Sequence, residues 1–196
     1  TYSTNVIINE CIFVKTCAVV LRYRDDVFRE NETNDLSDEI NITRSIFDGL
    51  ENDESDEGSC LHIEIGSSKL TIENNVIRNT RDLDNTYGYL KINFKKEAHD
   101  LELKNIEFTD NVCLCLYGGG SGVFIQQASS LYFYNCSFTN NQARQNTINP
   151  RSAHKSGLGS TYLSGDGGGI QLGFECKTNE ATVKFESCKF VRNKAF

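Results

Sequence analysis

An eleven-residue pattern that returns six times constrains this chain more than anything else in it. Its clearest copy, residues 131–141, reads Leu-Tyr-Phe-Tyr-Asn-Cys-Ser-Phe-Thr-Asn-Asn: apolar, any, apolar, any, Asn-like, small or apolar, any, aromatic or aliphatic, any, any, Asn-like. Leu101, Leu103, Asn105, Ile106, Phe108 and Asn111 fill the same template, as do Val183, Phe185, Ser187, Cys188, Phe190 and Asn193. Looser copies begin at Val6, Ile40 and Leu70. The anchors Phe13, Phe47, Ile77, Phe108, Phe138 and Phe190 lie 34, 30, 31, 30 and 52 residues apart, a period near thirty with one long insertion. Self-similarity at such a period marks a solenoid, in which each repeat packs on its neighbours.

Ahead of the later copies runs a second apolar alternation: Leu61, Ile63 and Ile65, then Leu90, Ile92 and Phe94, then Val123 and Ile125, then Ile170 and Leu172. Period two is the period of a half-buried strand, so His62 and Glu64 should face solvent. No helical periodicity separates these strands. The expectation is an all-β chain, a parallel β-helix of about six coils with three strands per coil, each strand pairing with its equivalent one coil above. The 196 residues read as a single domain with insertions at about 25–38, 48–58 and 143–165. The last insertion carries the only proline, Pro150, and is the expected contact region, since rigid scaffolds usually place function on long loops.

Within a coil, Phe108, Phe138 and Phe190 should point inward and stack. Asn tolerates the left-handed backbone of a sharp corner, and stacked amides bond to one another along a solenoid. Asn74, Asn105 and Asn135 should therefore form one file, and Asn111, Asn141 and Asn193 another.

The formal net charge is -7, and no Lys/Arg cluster offers a face for phosphates, which argues against nucleic acid as a partner. No apolar run approaches the roughly 18 to 20 residues of a membrane span. The eight cysteines show no zinc spacing. Cys136 and Cys188 share a repeat position, and strands about 4.8 Å apart allow a disulfide, with two stacked buried thiols as the other reading. Sequons begin at Asn31, Asn41 and Asn135. Glycans are expected on Asn31 and Asn41, whereas Asn135, held in a buried ladder, should be bare. Cysteines and sequons together point to a secreted or cell-surface setting. The opening residues do not read as a signal peptide and the sixth copy stops just after Asn193, so the stretch reads as a piece of a larger protein. Carboxylates at Asp48, Glu51, Asp53, Glu54, Asp56 and Glu57 are of the kind that hold calcium, but they lack the EF-hand order and read as a solvated loop; no cofactor is expected.

Phe108-Thr-Asp-Asn111, Phe138-Thr-Asn-Asn141 and Phe190-Val-Arg-Asn193 resemble the FxxN signature of polymorphic outer-membrane protein repeats, and the glycine runs at 118–123 and 167–170 resemble its companion GGA-aliphatic signature. The resemblance covers most of the chain; Gly replaces Ala, and FxxN is lost in the first three copies. It implies a right-handed parallel β-helix of the pectin-lyase-like kind, displayed at a cell surface. It also implies a non-enzymatic role in adhesion, recognition or structural assembly, with extracellular proteins or surface glycans as partners.

The rival class is a pectate-lyase-like or other carbohydrate-active enzyme, which needs carboxylates close together in a groove. The polygalacturonase Gly-His-Gly and Arg-Ile-Lys motifs are missing, and none of His62, His99 or His154 lies between glycines. Arg81, Asp82 and Asp84 form the nearest charged constellation, which a solvated corner explains. No catalytic and no metal-binding residues are therefore assigned.

Overall fold

The structure is a computed structural model that describes residues 5–16, 19–21, 39–52, 60–65, 69–82, 89–94, 99–115, 123–126, 128–145, 171–172 and 182–195. These residues form short strands with no helix among them, gathered into four parallel sheets. The first sheet stacks Asn5–Asn9, Glu39–Thr43, Lys69–Glu73, His99–Lys104, Ala128–Tyr134 and Thr182–Glu186. The second stacks Ile12–Val14, Ile46–Asp48, Val76–Arg78, Glu107–Thr109, Ser137–Thr139 and Lys189–Val191. The third runs from Glu51–Asn52 through Arg81–Asp82, Val112–Cys115 and Gln142–Gln145 to Lys194–Ala195. The fourth runs from Val19–Leu21 through Leu61–Ile65, Leu90–Phe94 and Val123–Gln126 to Gln171–Leu172.

The chain thus visits the four sheets in turn and begins again, which is a parallel β-helix. A full coil has four strands, one more than the periodicity suggests. The additional ones are those of the third sheet, where Glu51–Asn52 and Arg81–Asp82 are two residues long and too short to show alternation.

Two of the expected insertions are narrower than the composition suggests. Asp48 to Asn52 stays in the coil with Leu50 fully buried, and Ala143 is buried on a third-sheet strand in register with Cys113 and Ala195. Arg144 and Gln145 continue that strand, while 53–58, 146–165 and 25–38 lie outside the described residues.

The core is built in files along the axis. The second-sheet file Phe13, Phe47, Ile77, Phe108, Phe138, Phe190 stacks its rings at 5.0 Å for Phe13 on Phe47, 4.7 Å for Phe108 on Phe138 and 4.9 Å for Phe138 on Phe190. First-sheet pairs such as Leu103 beside Phe133 and fourth-sheet pairs such as Ile63 beside Ile92 complete the interior. Each fully buried aliphatic or aromatic side chain contributes roughly 1.5 to 3 kcal/mol.

Two corners repeat in every described coil. The residue at the first is left-handed in Glu10, Arg44, Asn74, Asn105, Asn135 and Ser187; at the second it is Lys15, Gly49, Asn79, Asp110, Asn140 and Arg192. Five of these twelve, Glu10, Lys15, Arg44, Ser187 and Arg192, are not Asn, Asp or Gly and meet a steric cost of about 1 to 2 kcal/mol. An inter-coil bond holds three of them there: the Glu10 N–H donates to the Thr43 carbonyl at 3.1 Å, the Lys15 N–H to that of Asp48 at 2.9 Å and the Arg44 N–H to that of Glu73 at 3.2 Å.

The residue after each corner points inward, and this separates the two Asn files. Asn74, Asn105 and Asn135 are the corner residues themselves, exposed, with Asn135 Nδ2 donating to Asn105 Oδ1 at 2.8 Å and Asn105 Nδ2 to Asn74 Oδ1 at 2.9 Å. Asn111 and Asn141 follow a corner and are fully buried, with Asn193 continuing their file. Asn75, which the repeat pattern does not single out, is buried in the same manner behind the first corner and donates to the Ile42 carbonyl at 2.7 Å.

Candidate functional site

With the inward positions filled by core, any recognition must use outward side chains. On the first sheet these form columns. One holds Asn41, Thr71, Tyr132 and Lys184, and its neighbour Asn9, Thr43, Glu73, Lys104, Tyr134 and Glu186. At the end nearest Lys184 the columns interlock. Tyr132 Oη donates to Glu186 Oε2 at 2.7 Å, Lys184 Nζ reaches the same oxygen at 2.7 Å, and Lys184 lies 4.8 Å from the Tyr132 ring centroid. The Tyr134 ring stands 6.2 Å from that of Tyr132, and Lys104 pairs with Glu102 at 2.8 Å.

The protonation of this patch follows from those contacts. The Glu186 carboxyl is held below the usual range, first by Lys184 and then by the Tyr132 hydroxyl; Tyr132 is raised by Glu186, and Lys184 is raised by the same carboxylate. At neutral pH Lys184 is a cation, Glu186 an anion and Tyr132 a phenol, side by side on the outward face of the first sheet. Sequence reading missed it, although Tyr132 and Tyr134 occupy the unassigned outward positions of the clearest repeat and Lys184 is the repeat equivalent of Tyr132.

A groove of 690 Å³ lies over the second corner of the early coils, lined in part by Lys15, Asp48, Glu51, Asn79 and Arg81. Asp48 accepts from Asn79 Nδ2 at 2.7 Å and pairs with Arg78 at 2.9 Å, and these contacts, the Asn79 bond foremost, hold its carboxyl below the ordinary range. It is a committed anion. Among the described residues no three metal-ligating side chains gather. Of the acidic run read as a calcium candidate, Asp48 and Glu51 belong to the coil, and residues 53–57 lie outside the described residues. Arg81 and Asp82 form a third-sheet strand; Asp84 and His154 lie outside the described residues.

His62 departs from expectation. Leu61 and Ile63 do point inward, but His62 is only 1 % exposed, with Nε2 3.5 Å from Glu64 Oε1 and Lys91 beside it in register, also buried. Alternation tells which face a side chain takes; it does not tell whether that face meets water.

The cysteine pair is also corrected. Cys136 and Cys188 stack one coil apart as free thiols, Cys136 Sγ donating to the Leu103 carbonyl at 3.3 Å and Cys188 Sγ to that of Phe133 at 3.3 Å. In a parallel register, equivalent Cβ vectors run side by side instead of toward each other, which disfavours the bond despite the short separation.

Among the sequons, Asn31 lies outside the described residues, and Asn41 sits half-buried on the outward face of the first sheet. Asn135 is exposed, so the burial argument against a glycan there fails; its bond to Asn105 remains. Compared with known proteins, the chain matches no family model, no curated protein and no solved structure.

Proposed function

We propose that the chain is a non-enzymatic β-helix segment of a secreted or cell-surface protein that presents its outer face for adhesion, recognition or structural assembly. The observation that carries this reading is the patch of Tyr132, Tyr134, Lys184 and Glu186, in which Tyr132 and Lys184 both bond Glu186 and Tyr134 stands beside Tyr132 before any partner arrives. Pre-organisation of that kind lowers the ordering cost of binding. Exposed tyrosines combine a broad apolar ring with a polar tip and suit protein or glycan surfaces alike. The resemblance to polymorphic outer-membrane protein repeats agrees with this. So do the sequons, whereas Cys136 and Cys188, as stacked thiols, no longer add support.

Binding of purified protein to cell surfaces and to immobilised glycans tests the reading. Tyr134→Ala and Lys184→Ala should weaken retention several-fold with the fold intact by circular dichroism; unchanged binding by both would count against it.

A second reading, a carbohydrate-active enzyme, draws on His62, Glu64 and Lys91 gathered on the outer side of the fourth sheet. Appearance of unsaturated product from a polyuronate, rising on addition of calcium, would replace the first reading with this one.

A further inference from the structure

The second corner carries a side chain in all of the described coils but one. Lys15, Asn79, Asp110, Asn140 and Arg192 occupy it elsewhere, and Gly49 occupies it in the second coil. The missing side chain leaves a notch in that column, and the 690 Å³ groove lies over it. Its walls come from three successive coils: Lys15 from the first, Asp48 and Glu51 from the second, Asn79 and Arg81 from the third. The groove therefore runs along the flank of the solenoid and not across an end face. Its volume falls within the roughly 300 to 1,000 Å³ of small-ligand sites.

The groups round the notch are of two kinds. Asp48 is anchored, with Asn79 Nδ2 donating to its Oδ1 at 2.7 Å and Arg78 Nε to its Oδ2 at 3.0 Å. Lys15, Glu51 and Arg81 are exposed and form no side-chain hydrogen bond or ion pair with any described residue, although Glu51 and Arg81 are register partners on the third sheet. Two uncommitted cations thus flank a pair of carboxylates, one cation a coil to either side.

This arrangement selects among ligands. A phosphate or sulfate dianion is repelled by the two carboxylates. A metal ion is repelled by Lys15 and Arg81, and both Asp48 oxygens already accept from protein donors. A neutral sugar can donate hydroxyl protons to Asp48 and Glu51 but gives the cations nothing. A pyranose bearing one carboxylate answers both, its hydroxyls donating to Asp48 and Glu51 and its anion accepting from the Arg81 guanidinium or the Lys15 ammonium. We infer that the notch at Gly49 binds an acidic sugar, a pyranose with a single carboxylate, presented by a surface glycan. This rests on the recognition part of the proposed function and gives it a second site, apart from the tyrosine patch. Uronic and sialic acids share the required chemistry.

Titration of the purified chain with sialyllactose, a glucuronic-acid disaccharide and lactose, followed by saturation-transfer NMR, tests the site and distinguishes the two sources. At least one acidic sugar should bind, lactose should bind about tenfold more weakly or less, and inorganic phosphate should not compete. Gly49→Asn fills the notch with the residue that the same corner already holds at Asn79 and Asn140, so the fold should persist while affinity falls about tenfold or more. Arg81→Ala should weaken binding by a similar factor through loss of a charge-assisted bond, and Arg192→Ala, at the same corner of the sixth coil, should leave it unchanged. Should Gly49→Asn lose its β signal in circular dichroism, Arg81→Ala and Lys15→Ala, at exposed positions, carry the test. Absence of binding by both acidic sugars, equal binding of lactose, competition by phosphate, or an affinity unchanged in either folded groove variant, Gly49→Asn or Arg81→Ala, would overturn the site. Retention on cell surfaces that still depends on Tyr134 and Lys184 in such a case would leave the proposed function standing and remove only the groove.

Discussion

The side-chain oxygen of Asn141 accepts two hydrogen bonds from Asn111 one coil away, from its backbone N–H at 3.1 Å and its Nδ2 at 3.0 Å. Asn141 also donates to the Phe108 carbonyl at 3.0 Å and to Asn193 Oδ1 at 3.0 Å. Asn141→Ala would strand a buried N–H and a buried carbonyl, each worth roughly 1 to 3 kcal/mol when unpaired. A loss on the order of 3 kcal/mol in urea melts is expected. Asn105→Ala, at an exposed corner, should cost about 1 to 2 kcal/mol, chiefly for placing alanine in a left-handed conformation. The reverse ranking would mean that the exposed file, not the buried one, holds the coils together.

Phe138 and Phe190 occupy the same repeat position, yet Phe138 is fully buried and Phe190 is 50 % exposed. Phe138→Ala should destabilise by about 3 to 5 kcal/mol through a cavity between stacked rings. Phe190→Ala should cost less than half of that. Equal losses would show that the sixth coil is covered in solution.

Much of the fold was legible because a solenoid repeats its geometry: once Phe108, Phe138 and Phe190 were aligned, their shared file followed. The left-handed corners at Glu10, Lys15 and Arg44 were not legible, since inter-coil hydrogen bonds override the local preference that marks Asn and Gly. The burial of His62 escaped for another reason, that strand alternation carries no information on what lies outside the sheet. Of the candidate site, Tyr132 and Tyr134 stood in the most conspicuous repeat, while Glu186 and Lys184 join them only across a long insertion. The register had to be known before the four could be seen as neighbours.

Asp48 supplies a pH test with a definite sign. Its carboxyl is depressed in the fold by Asn79 and then Arg78, so the stabilisation is present above the unfolded carboxyl range and is lost as pH falls through the folded value. Asp48→Asn should be less stable than wild type at neutral pH by under about 1 kcal/mol, the scale of partly exposed pairs. The gap should narrow on acidification below the ordinary carboxylate range near 4 and vanish at lower pH. A gap that widens toward acid would contradict the assignment of Asp48 as a committed anion.

Cys136 offers a chemical readout of the same packing. Burial, reinforced by the neighbouring Cys188 thiol, raises its pKa to about 11. At pH 8 such a group is roughly 0.1 % thiolate, against roughly a quarter for a free cysteine near 8.5, and only the thiolate is alkylated. Iodoacetamide followed by peptide mapping should therefore modify Cys136 about 200-fold more slowly in the folded chain than in urea, from ionisation alone, with burial of the sulfur slowing it further. Comparable rates in the two states would mean that the coil carrying Cys136 opens readily, and the rigid surface proposed for Tyr132 and Tyr134 would lose its support.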